Sequence, residues 1–120
     1  MEAGHDLLAC DRKTSDPYVE VSIHGAQRDI AGKTSVVKKT LNPVWQVPFA
    51  FAFRDSQSPV TIVLTCWDKD MLGKDDFMGR ASFQVSAAQM PMNQRLMLRP
   101  GTSRKERKAK GSISISLKRK

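Results

Sequence analysis

A chain of 120 residues, 40% hydrophobic and 27% charged, can bury one core and is too short for several ordinary domains. Twenty Lys and Arg against twelve Asp and Glu give a net charge of +8, which favours an anionic partner: phospholipid, nucleic acid or an acidic protein. No apolar run approaches the ~18–20 residues that span a bilayer, and two cysteines and two histidines are too few for a disulfide scaffold or a Cys/His zinc site. The opening MEAGHDLLACD lacks the charged-then-apolar order of a secretion signal. The expectation is a cytoplasmic protein with Cys10 and Cys66 as reduced thiols.

The elements are short and mostly of period two. After the turn-like ACDRKTSDPYV (9–19), YVEVSI (18–23) sets Val19, Val21 and Ile23 on one face. KTSVVKK (33–39) is a weaker strand candidate that alternates Lys33 and Lys39 to one side. VWQVPFAFAF (44–53) puts Trp45, Val47, Phe49, Phe51 and Phe53 on one face, with Pro48 requiring an edge or a bulge. VTIVLTCW (60–67) alternates Val60, Ile62, Leu64 and Cys66 against Thr61, Val63 and Thr65. GRASFQV (79–85) and RLMLR (95–99) are weaker strands, separated by SAAQM (86–90), which is long enough for one helical turn. The basic run RKERKAK (104–110) reads first as a solvated loop. GSISISLK (111–118) then sets Ile113, Ile115 and Leu117 against serines. Seven short strands, turn signals between them and no long helix predict an antiparallel β-sandwich.

Four aspartates, Asp68, Asp70, Asp75 and Asp76, crowd the stretch CWDKDMLGKDDFMG (66–79) around Met71 and Leu72. Like charges held together are unfavourable unless a cation lies among them, and Ca²⁺ takes six to eight oxygen ligands. The EF-hand pattern fails: with Asp68 first, the fifth position is Leu72 and the twelfth Gly79, where Asp or Asn and a bidentate Glu are required. A loop between strands that shares its ion with a second loop remains, and Asp11 and Asp16 bracket such a loop.

SDPYV (15–19), KTLNPVW (39–45) and WDKDMLGKDDFMG (67–79), in this order, resemble the C2 domain, the calcium- and phospholipid-binding β-sandwich of protein kinase C and synaptotagmins. The resemblance covers about Leu7 to Leu117. It implies an all-β, eight-stranded antiparallel sandwich whose first strand is largely missing from this chain, with residues 1–120 forming a single C2-like domain of a larger protein. It also implies a Ca²⁺ site made of Asp11, Asp16, Asp68, Asp70 and Asp76, with a backbone carbonyl near Arg12. Asp76 is assigned because it directly precedes the apolar-apolar-glycine triplet Phe77-Met78-Gly79, which leaves Asp75 as a neighbour. Asp11 and Asp16 are five residues apart, where many calcium-binding relatives have six.

The expected function is calcium-dependent binding of anionic phospholipid membranes, with peripheral membrane localisation once calcium is bound. Met71 and Leu72 are expected to enter the interface. Relatives with a lysine-rich concave face bind phosphoinositide, and Tyr18, Lys33, Lys39 and Trp67 mark the corresponding lipid-binding face here, although Ser35 replaces a lysine. The alternative is calcium-independent binding of acidic lipid or protein through the basic surface. Nucleic acid is not an expected partner, because no aromatic-interleaved basic strand or recognition helix is present. Nor is the chain expected to be an enzyme: it has no nucleophile–base motif, although its parent protein can be one. A sheet edge left uncovered by the missing first strand would permit self-association.

Overall fold

The computed structural model describes residues 3–5, 16–34, 36–37, 40, 49–55, 57–69, 73–90, 92–101, 109 and 111–117. Seven strands and one 3₁₀ turn lie among them: β1 (Ala3–His5), β2 (Pro17–His24), β3 (Ile30–Lys33), β4 (Val60–Asp68), β5 (Asp76–Val85), the turn Ala87–Gln89, β6 (Met92–Met97) and β7 (Ser112–Leu117). They form two antiparallel sheets, with orders β1-β7-β6 and β3-β2-β4-β5.

Alternation decides which face is buried. Val19, Val21 and Ile23 of β2 lie beside Cys66, Leu64 and Ile62 of β4 in register, and all six are buried. Leu96 of β6 and Ile113 and Ile115 of β7 complete the same core from the other sheet. Leu64, Val19 and Ile113 are at most 1% exposed, and a side chain so buried contributes about 1.5–3 kcal/mol. The opposite faces carry Glu20, Ser22 and His24 on β2 and Ser114 and Ser116 on β7, which water can solvate, whereas Ser112 is buried.

Four strands differ from their sequence expectation. The candidate over 33–39 is a strand only to Lys33 and begins earlier, at Ile30. Beyond it Thr34 takes over the ladder: its N–H donates to the Val19 carbonyl at 2.8 Å, and its Oγ1 accepts from the Val19 N–H at 2.9 Å. The Val37 N–H then donates to the Pro17 carbonyl. Three residues on this side thus oppose two on β2, which is the count of a β-bulge. The even alternation of the candidate strand is therefore broken between Thr34 and Val37, and Lys39 lies outside the described residues. In the stretch 44–53, half-buried Phe49, Phe51 and Phe53 do alternate with exposed Ala50 and Ala52. Ladder pairing there is confined to the bridge Phe53–Ala26, and 44–48 are outside the described residues. β5 and β6 each begin three residues earlier than the patterns GRASFQV and RLMLR suggest.

Among the described residues, β1 pairs with β7 over Ser112–Ser114. The SAAQM turn forms as expected, closed by the Ser86 N–H on Gln89 Oε1 at 2.8 Å.

Strand direction sorts the connections to two ends. β2 and β5 begin, and β4 finishes, at one end, where Pro17, Asp68 and Asp76 lie side by side. We call this the aspartate end. β1 pairs antiparallel with β7, and β7 with β6, so the connection from His5 to Asp16 also begins and ends here. At the far end lie the turn after Gly25 (φ +89°), the bridge of Ala26 to Phe53, and the 3₁₀ turn.

Candidate functional site

Asp16 directly precedes β2, Asp68 closes β4 and Asp76 opens β5. Cross-strand register therefore gathers three of the five expected calcium ligands at one end. The Asp16 N–H donates to Asp68 Oδ1 at 2.7 Å, and the Lys69 N–H donates to the Asp16 carbonyl at 3.0 Å. These two bonds knit the residue entering β2 to the end of β4. Asp68 is only 3% exposed, unusual for a carboxylate, whereas Asp76 is exposed. Asp11, Asp70 and the Arg12 carbonyl lie outside the described residues, as do Met71 and Leu72. Among the described residues no three acidic, His or Cys side chains come close enough to hold a metal. The donor set is nonetheless of the right kind: carboxylate oxygens from separate strand ends suit a hard cation such as Ca²⁺.

Asp75 and Asp76 have different surroundings. Asp75 accepts a hydrogen bond from the Tyr18 hydroxyl and lies 3.9 Å from Lys69 Nζ, so it faces the sheet surface rather than Asp68. Asp76 is the residue that sits opposite Asp68.

A β-bulge produces this split. Cys66 pairs with Gly79 but Trp67 pairs with Phe77, so Met78 is the extra residue on β5. Met78 enters the core at 0% exposure, while Phe77 joins Trp67 on the outer face. Gly79 makes the bulge possible. Its φ is +140°, and a Cβ there would lie 2.6 Å from Leu98 Cβ. In sequence the bulge shows only as the break in alternation between Phe77 and Arg80, which the period-two reading passed over.

The outer face beside the bulge carries a row that sequence reasoning found only in part. Tyr18 and Trp67 are direct cross-strand partners. Trp67 meets Phe77 edge-to-face at 5.8 Å. Each end of the row has a cation: Lys33 Nζ lies 6.0 Å from the Tyr18 ring centroid, and Arg80 Cζ lies 5.3 Å from that of Phe77. Two carboxylates share the face, since Glu20 is the cross-strand partner of Lys33 and Asp75 is on Tyr18. The Trp67 indole N–H is buried with no acceptor among the described residues.

Burial, and then the Asp75 carboxylate accepting its proton, push the Tyr18 phenol well above its ordinary pKa. A raised folded-state pKa means that stability is fully present below about pH 10, where the unfolded phenol titrates, and falls as pH rises beyond it. Chemical denaturation between pH 8 and 11 should show this fall in the wild type and a smaller one in Tyr18→Phe. Equal slopes would show that the Asp75 contact does not hold the phenol proton in solution.

A sequence model of the C2 domain matches residues 2–99. The chain belongs to the C2 domain family. It is 38% identical over 96 residues to human Multiple C2 and transmembrane domain-containing protein 1, an alignment covering 79% of this chain and 9% of that protein. It is 39% identical over 85 residues to Protein C2-DOMAIN ABA-RELATED 4 of Arabidopsis thaliana, covering 71% of this chain and 45% of that one. The chain thus spans less than half the length of these curated relatives. Among solved structures, a C2 domain of a plant Extended Synaptotagmin 1 superposes with a TM-score of 0.74 at 23% identity, over 96% of this chain and 86% of that chain. This likeness supports the C2 β-sandwich fold. C2 domains are binding modules that target membranes. No described helix is long and apolar enough to cross a bilayer.

Proposed function

We propose that this C2 domain is a calcium-dependent module for anionic phospholipid membranes within a larger protein. The supporting observation is the register that aligns Asp16, Asp68 and Asp76 at one end of a basic domain, with Asp68 nearly buried. The full ligand set on this reading adds Asp11, Asp70 and a carbonyl near Arg12. Ca²⁺ held there would supply positive charge that offsets the carboxylates and attracts lipid phosphate.

The protein's own groups do the rest. Before the ion binds, clustered carboxylates repel an anionic leaflet within a Debye length, ~8 Å at physiological salt. Once that charge is cancelled, Lys69 and Lys74 flank a neutralised tip, and Met71 and Leu72 between them are free to enter the interface. Full burial of each would contribute about 1.5–3 kcal/mol, and shallow insertion less.

The concave face adds an accessory headgroup contact through Lys33, Tyr18 and Trp67, with Lys39 assigned from sequence. A polyphosphoinositide would meet Glu20 and Asp75 there, so this face suits a singly charged headgroup better. Self-association is proposed through the β7 edge on which β1 lies, where the described residues pair over Ser112–Ser114.

Co-sedimentation with phosphatidylserine and phosphatidylcholine vesicles across a calcium titration tests the function. The expected result is calcium-dependent capture by phosphatidylserine alone. Capture that ignores calcium would leave only the basic-surface reading, and no capture by either vesicle would overturn both.

A further inference from the structure

Asp75 and Asp76 are adjacent carboxylates, and a slip of β5 by one residue against β4 would exchange their places. The bulge at Met78 leaves two ladder pairs between itself and the aspartate end, Trp67 with Phe77 and Asp68 with Asp76. The tip of β5 is therefore a two-residue stub, set apart by the bulge from the regular pairing of Val60–Cys66. A stub this short specifies its register weakly, so contacts outside the ladder help to decide which carboxylate faces Asp68.

Tyr18 supplies such a contact. It stands beside its cross-strand partner Trp67, which in turn meets Phe77, so the three rings form one row across β2, β4 and β5. From this row the Tyr18 hydroxyl reaches over β4 and donates to Asp75 Oδ2. A hydroxyl on a carboxylate is among the stronger hydrogen bonds, and the Asp75 side chain is only 17% exposed, so water competes poorly for it. Lys69 Nζ approaches the same oxygen at 3.9 Å from the end of β4. Asp75 precedes Phe77 by two residues and shares its face by alternation. Holding Asp75 there leaves Asp76 on the side of Asp68, whose Oδ1 accepts the Asp16 N–H. The short segment Asp16–Tyr18 thus grips Asp68 through its backbone and Asp75 through a side chain.

We propose that Tyr18 is a positioning residue of the calcium site: its hydroxyl, bonded to Asp75, keeps that carboxylate on the outer face and sets Asp76 opposite Asp68. The inference rests on the calcium reading above and deepens it. Tyr18 touches no ion; it acts through Asp75 and the backbone of β5.

Calorimetry of the full chain with calcium and no lipid tests this, at a temperature where every variant is folded, so that no headgroup contact of Tyr18 enters. Tyr18→Phe keeps the ring and every charge and removes only the hydroxyl. It should lose about tenfold in calcium affinity, the low end for changes outside the ligands themselves. Asp75→Ala removes the acceptor together with a charge, and on that background Tyr18→Phe should cost nothing further, because the bond it breaks is already gone. In calcium-free protein the cross-strand nuclear Overhauser effect between Asp68 and Asp76 should weaken in Tyr18→Phe, while that between Leu64 and Ala81, beyond the bulge, keeps its wild-type intensity. Wild-type calcium affinity in Tyr18→Phe would overturn the proposal, as would the same loss persisting on the Asp75→Ala background. Tighter calcium binding in Tyr18→Phe would also overturn it and make Asp75 a ligand that the hydroxyl withholds. Weakening at both strand pairs would reduce the hydroxyl to a general stabiliser. Absent calcium heat in the wild type would instead fail the calcium reading itself, and the Asp68–Asp76 signal would still show whether the hydroxyl fixes the tip of β5.

Discussion

Gly79→Ala is expected to lower the stability of the domain by about 3 kcal/mol or more, measured by urea denaturation without calcium. Two independent costs add. A φ of +140° is open to glycine and strained for any residue with a Cβ. The new methyl would also lie 2.6 Å from Leu98 Cβ and 3.1 Å from Ala109 Cβ, and neither contact is the flexible end of a long side chain. Relief requires moving Leu98, whose N–H is bonded to Gly111, or straightening the bulge. Straightening would slide β5 by one residue against the end of β4, exchanging the faces of Phe77 and Met78 and shifting Asp76 from its place opposite Asp68. The variant should therefore lose stability and, in whatever fraction remains folded, lose contact between Trp67 and Phe77, visible as a change in near-ultraviolet circular dichroism. A loss below about 1 kcal/mol would mean that the bulge is not a fixed feature of the fold.

The strands and the core were legible because their signal is local. Val19, Val21 and Ile23, or Ile62, Leu64 and Cys66, announce a buried face through period two alone, and the sandwich follows from several such runs. Where the chain inserts a residue, that signal misleads. Thr34 and Met78 each mark a place where one strand advances further than its partner, and nothing in KTSVVKK or DFMGR states which partner it will have. The same limit applied to the site. The aspartates stood out by charge density, and resemblance to the C2 family singled out Asp76 over Asp75. The physical difference between the two appears only with the bulge, which sets Asp76 beside Asp68 and leaves Asp75 to Tyr18.

Asp68→Asn should separate calcium binding from folding. Asp68 is the most buried of the described aspartates, and its Oδ1 accepts the Asp16 N–H at 2.7 Å. The asparagine carbonyl can accept the same bond. It loses the extra strength of a charged acceptor but also removes a desolvated negative charge from an acidic end, so the two changes oppose each other. Stability without calcium should therefore stay within about 1 kcal/mol of wild type. Calcium should raise the wild-type melting temperature by roughly 10 °C at a hundredfold excess over its dissociation constant. The variant should lose at least about 100-fold in calcium affinity, since even outer-shell changes cost 10–100-fold, and its thermal shift should vanish with it. Asp68→Ala serves as the contrast. It leaves the Asp16 N–H without its acceptor and should cost about 1–3 kcal/mol whether or not calcium is present. A thermal shift in Asp68→Asn as large as in wild type would remove Asp68 from the ligand set. If the variant instead fell in stability as far as Asp68→Ala, the carboxylate would be a structural acceptor for the Asp16 N–H, and its burial would need no ion.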